Sequence, residues 1–121
     1  MAIQKEDQSH LRVTLRSVRD NANWTEGQLL DLQTHNYEDW KNRIIDRLDA
    51  SSGLSAYLFD APRLHLPLTP YEPAATSNDE MNDLSVLGYI RSHMCKAERD
   101  YINACKFAHQ AWSALETHHL R

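Results

Sequence analysis

Apolar residues recur every three or four positions along much of the chain, with charged and amide side chains filling the gaps. In "NYEDWKNRIIDRLDA", residues 36–50, the series Tyr37, Trp40, Ile44 and Leu48 runs down one side of a helix and Ile45 widens the stripe. Asn36 stands at the N-cap position, and Glu38 and Asp39 place negative charge in the first turn, where the helix dipole favours it. Asp39 and Arg43 form an i,i+4 pair on the polar side. The helix is expected to stop at "SSG", residues 51–53, with Gly53 suited to a left-handed cap. An adjacent Tyr and Trp can serve as a stacking platform for a ligand, but this stripe assigns them to a core.

The same spacing predicts further helices. Thr25 and Gln28 in "NWTEGQLLDL" are placed to form a capping box, opening a short helix or an extended lead-in. "LSAYLFD" suits another short helix. "SNDE", Ser77 to Glu80, is a capping box for a helix with Met81, Leu84, Leu87 or Gly88, Ile90 or Arg91, and Met94 near one face. A short break is expected over Cys95 to Asp100. The last helix then carries Ile102, Cys105, Ala108 or His109, Trp112 and Leu115. The predicted core is therefore Tyr37, Trp40, Ile44, Leu48, Ile90, Ala108, Trp112 and Leu115.

Two segments depart from this pattern. "DAPRLHLPLTPYEPAAT", residues 60–76, holds all 4 prolines and reads as a long loop lying against the domain through Leu64, Leu66 and Leu68. Residues 1–23 are polar and mixed in sign. There "LRVTLRSV" alternates like a strand, while the same letters put Arg12, Arg16 and Arg19 on one helical stripe, and a mobile arm is a third reading. The expected organisation is a polar arm over 1–23 and one helical domain over 24–121. The fold class is all-α: a small helical bundle with a Pro-rich loop between two helical halves.

Composition narrows the function. The chain has 121 residues, 41% hydrophobic and 25% charged, which suits one small globular domain. A net charge of −4 counts against wrapping nucleic acid, where affinity comes mostly from neutralising phosphates. RNA contact would fall to Arg12, Arg16 and Arg19, with Lys5, diluted by Glu6, Asp7 and Asp20. No apolar run approaches the ~20 residues that cross a bilayer, and "MAIQKEDQSH" lacks the apolar core of a signal peptide. A cytoplasmic location is expected, with Cys95 and Cys105 reduced.

Candidate chemistry is sparse. There is no Gly-rich phosphate loop, no G-x-S-x-G elbow and no H-E-x-x-H helix, and "SSGLS" lacks the carboxylate of an aspartic-protease motif. Asp46 and Asp49 lie one turn apart and read as a solvated face. Zinc would draw on His93, Cys95, Cys105 and His109, but the usual C-x₂₋₄-C pairing is missing and Cys105 and His109 fit the apolar stripe. His118 and His119 read as a frayed helix end. The expectation is no enzyme, no cofactor and no metal.

"LQTHNYEDWKNRI", the Pro-rich connection, "IRSHM" and "FAHQAWSALETHH" together resemble the Gag polypeptide of copia-type LTR retrotransposons. That family opens on Leu-x-Gly-x-Asn-Tyr-x-x-Trp, matched by Leu32, Asn36, Tyr37 and Trp40. Its later Thr-Ala-x-x-Ala-Trp-x-x-Leu is matched by Ala108, Ala111, Trp112 and Leu115, with Ile90 in the intervening helix. Thr34 stands where the family favours Gly and Phe107 where it favours Thr, and a Trp often found before the middle helix is absent. The resemblance implies the N-terminal lobe of a capsid, or a host gene descended from one. Such a lobe self-associates into the shell of a virus-like particle, while RNA is held by regions outside it. A host-domesticated adaptor for a protein partner and an RNA-binding module using the N-terminal arm are the alternatives.

Overall fold

The computed structural model describes residues 14–19, 24–63 and 77–120. These form four α-helices with short 3-10 turns between them, and no strand occurs among the described residues. We label the helices α1 (Tyr37–Ala50), α2 (Asn78–Ser92), α3 (Lys96–Tyr101) and α4 (Ala108–His119). The Pro-rich loop lies outside the described residues from 64 to 76, as do Arg12 and residues 1–13.

Helix α1 buries Tyr37, Trp40, Ile44 and Leu48 along one stripe. Asn36 holds the N-cap position but does not cap the helix with its side chain. Its Nδ2 donates to the Leu29 carbonyl at 2.7 Å, and its Oδ1 accepts from the Asp31 N–H at 3.1 Å. The amide thus closes the lead-in loop, which competes with capping for the same two groups. On the polar side Lys41 pairs with Glu38 at 3.1 Å, and Arg43 lies 5.3 Å from the centroid of the Trp24 ring. The helix ends at Ala50, and just beyond its Ser51 C-cap come Ser52 and Gly53, both left-handed, at φ 63° and 75°. Ser52 is the strained one of the two, since only glycine takes that conformation freely.

Immediately after it, Leu54–Leu58 makes a 3-10 turn that touches α1, α2 and α4 and buries Leu54, Tyr57 and Leu58. Helix α2 opens with the Ser77–Glu80 capping box. Its buried face, however, is Asn82, Asp83, Val86, Leu87, Tyr89 and Ile90, while Met81 and Leu84 are 41% and 54% exposed. The expected stripe is rotated because two polar residues have work inside. Asn82 Oδ1 accepts from Arg16 N–H at 2.7 Å and its Nδ2 donates to the Thr14 carbonyl at 3.0 Å. Asp83 accepts from the Ala108 N–H at 3.3 Å, capping α4 from another helix. Phe107, at the N-cap of α4, has no side-chain oxygen to do so.

The expected break over Cys95 to Asp100 is shorter than the periodicity implies. After a parallel bridge between Leu30 and Met94 the chain re-enters a helix at Lys96. There Lys96 pairs with Asp100 at 2.9 Å, and Arg99 Nη1 donates to the Met94 carbonyl at 2.7 Å. Conversely, the single last helix expected from Ile102 to Leu115 is divided. Ile102 caps the end of α3, and a turn closed by Cys105 N–H to the Ile102 carbonyl at 2.9 Å separates it from α4. Both apolar positions still reach the core, so spacing alone does not reveal the turn.

Tyr37, Trp40, Ile44, Leu48, Ile90, Ala108, Trp112 and Leu115 belong to one buried cluster with Leu30, Leu54, Val86, Met94 and Ile102. At its centre the Trp40 and Trp112 rings lie 5.6 Å apart, and Trp40 Nε1 donates to the His93 carbonyl at 2.6 Å. A buried indole N–H with a partner is the condition for a Trp to be a stabilising core residue.

Candidate functional site

Two features of the surface and near-surface stand apart from this core. The first is built where α3 meets the end of α4. Glu98, on α3, points inward and is only 2% exposed. Helix α4 continues through His119, so "HH" is not a frayed end: a packed ring holds each imidazole. His119 stacks on Tyr37 at 5.0 Å and an interplanar angle of 10°, and His118 stacks on Tyr101 at 4.0 Å and 23°. The two imidazoles are nearly perpendicular, at 87°.

These rings are turned towards one carboxylate. His119 Nε2 lies 2.5 Å from Glu98 Oε1, and His118 Nε2 lies 3.7 Å from Glu98 Oε2. At 2.5 Å the two atoms are within contact distance, yet Glu98 Oε1 and His119 Nε2 are both buried without a hydrogen bond. Tyr37 Oη, nearby in the same wall, is likewise buried and unbonded. Burial, with Glu116 and Glu38 in the neighbourhood, pushes the Tyr37 hydroxyl up to about 12. It therefore stays a neutral phenol in the physiological range.

The second feature is the outer side of α2. Met81, Leu84, Ser85 and Gly88 follow one another at helical spacing and are all exposed. A Cβ at Gly88 would meet nothing within 4 Å. The face is thus apolar or small and uncharged, and at Gly88 it has no neighbour among the described residues.

No protein-family model, curated protein or solved structure matches this chain. The resemblance to copia-type Gag accordingly rests on the motif residues themselves.

The residues weighed from sequence fall as follows. The Tyr37–Trp40 pair is interior, not a platform. Arg16 is engaged with the body: Nη1 donates to the Ser52 carbonyl at 2.6 Å, and the guanidinium lies 5.8 Å from the centroid of the Tyr57 ring. Arg19 donates its N–H to Ser51 Oγ at 2.7 Å, and its side chain is exposed. Asp46 and Asp49 are exposed. Cys95 and Cys105 are free thiols and half-buried. His93 sits between the Trp24 and Tyr89 rings, each at 4.3 Å. His109 stacks on Phe107 at 5.9 Å. Among the described residues, the one group of three or more His, Cys, Asp or Glu side chains with converging donor atoms is Glu98, His118 and His119. Sequence reasoning missed Glu98, which sits in "KAERD", inside the stretch expected to be a short break. No helix among the described residues is long and apolar enough to cross a membrane.

Proposed function

We propose that this chain is the N-terminal capsid lobe of a copia-type Gag, or a host protein descended from one. In this reading it self-associates in the cytoplasm through the outer face of α2. The observation that carries it is the exposure of Met81 (41%) and Leu84 (54%) one turn apart, beside Gly88. An apolar, uncharged helix face with a glycine in it lets a second helix approach closely, and burying the exposed half of two such side chains contributes about 1 kcal/mol each. The mutually packed Trp40 and Trp112 rings give the rigid interior that a repeating contact needs. A closed ring of five or six copies repeats one heterologous contact around an axis. The engaged guanidinium of Arg16 weighs against the arm as an RNA grip.

Sedimentation at rising concentration tests this. The wild-type chain is expected to form oligomers, and Leu84→Asp to remain monomeric with an unchanged melting temperature. Equal association by the variant, or a wild-type monomer at every attainable concentration, rules the α2 face out. Salt-sensitive RNA binding abolished by removing residues 1–22 would favour the nucleic-acid alternative instead.

A further inference from the structure

We propose that Glu98, His118 and His119 bind a divalent transition-metal ion of the zinc class, tying α3 to the end of α4. This site is separate from the α2 face. Three observations support it. The donor atoms of the three side chains all lie within 4.8 Å of one another. Two of those atoms, Glu98 Oε1 and His119 Nε2, are buried and face each other at 2.5 Å without a hydrogen bond. The imidazoles are held in place by Tyr37 and Tyr101, so no ordering of long side chains is needed on binding.

Two imidazole nitrogens and a carboxylate oxygen are a donor set that suits zinc, which takes such ligands at about 2.0–2.2 Å in tetrahedral geometry. Tetrahedral neighbours sit about 3.3 Å apart on those bond lengths. His118 Nε2 lies 3.7 Å from Oε2 of Glu98, close to that spacing, whereas His119 Nε2 lies 2.5 Å from the other oxygen, Oε1. For one oxygen to serve both imidazoles the carboxylate has to rotate and the His119 contact has to open by somewhat under an ångström. Glu98 and His118 also line a surface groove with Leu32, Cys95 and Tyr101. The fourth coordination position faces that groove, where a water or an exchangeable donor completes the set.

A proton shared between His119 and Glu98 is the rival account of the same contact, and the experiment separates the two. The full chain is stripped with a chelator, then titrated with Co²⁺ at neutral pH, followed by visible absorption, with Zn²⁺ as competitor. One equivalent of Co²⁺ is expected to give the intense bands of a tetrahedral site and to be displaced by Zn²⁺, and Zn²⁺ is expected to raise the melting temperature. Even outer partners of a metal site are worth about 10–100-fold in affinity, so Glu98→Gln or His118→Ala should weaken binding by at least about 100-fold. Glu98→Gln preserves shape, and His118 is partly exposed, so both variants are checked for the wild-type helical spectrum before titration. The proposal is overturned if the wild-type chain takes up no tetrahedral Co²⁺. It is equally overturned if a folded variant binds as tightly as wild type, since the other histidines would then be responsible.

Discussion

Helices α1 and α2 are nearly the same length and follow opposite rules. Helix α1 buries its aromatic and aliphatic stripe and leaves its charges in water. Helix α2 buries an amide and a carboxylate and leaves a methionine and a leucine outside. In α1 the periodic pattern is sufficient because every buried side chain is aromatic or aliphatic: the Trp40 indole N–H bonds the His93 carbonyl, and only the Tyr37 hydroxyl is buried without a partner. In α2 the inward polar groups are connectors. Asn82 fastens the extended segment 14–19, and Asp83 supplies the acceptor that the start of α4 lacks. A helix that spends part of its inner face on such tasks turns apolar residues outward, and those become available to another molecule.

The sharpest way to break the contrast is to hollow out α1. Trp40→Ala removes a 1% exposed indole that lies against Trp112 and bonds the His93 carbonyl. The expected loss is about 3–5 kcal/mol, read from the midpoint of denaturant unfolding. A variant with wild-type stability but no self-association would put Trp40 at an interface and reverse the roles of the two helices.

A smaller effect comes from the carboxylate buried in α2. Burial pushes Asp83 up from 3.8 to about 6, opposed by the Ala108 N–H and the nearby His109, with Asp79 adding to the rise. The folded state therefore keeps a proton that the unfolded chain has released between those two values. Stability from this group falls as pH rises through that window, and the penalty is complete above about 6. Asp83→Asn keeps an oxygen for the Ala108 N–H and removes the titration. The difference between wild type and variant should change by on the order of 1–3 kcal/mol from pH 4 to pH 7, in the variant's favour at the higher pH. Parallel stability–pH curves would mean that the carboxylate is solvated in solution.

What was legible in the sequence divides along the same line. The stripe of α1 is written in local spacing, and so are the Ser77–Glu80 box and the left-handed Gly53. The inner face of α2 is not, because the partners of Asn82 and Asp83 are backbone groups 66 and 25 residues away. Glu98 was illegible for a related reason. It lies on a six-residue helix too short to show a period, and its partners come from the last turn of α4. The split between α3 and α4 was hidden because Ile102 and Ala108 are both fully buried on either side of the turn. The resemblance to Gag motifs, by contrast, fell on residues such as Tyr37, Trp40 and Trp112, which are interior and speak for a fold before they speak for an interface.

The finest test uses Gly88, where the two roles of α2 predict opposite signs. Inside a helix, glycine is less favourable than alanine by about 0.8–1.0 kcal/mol. Since an added Cβ meets nothing within 4 Å among the described residues, Gly88→Ala should raise the stability of the monomer by nearly that amount. If a neighbouring copy packs its helix closely over this position, the added methyl group separates the two backbones and weakens association. Thermal unfolding at low concentration reads the first effect and sedimentation at high concentration the second. A gain in both would leave α2 free at Gly88 and confine any contact to Met81 and Leu84, whereas a loss in association alongside a gain in stability marks the glycine as the point of closest approach.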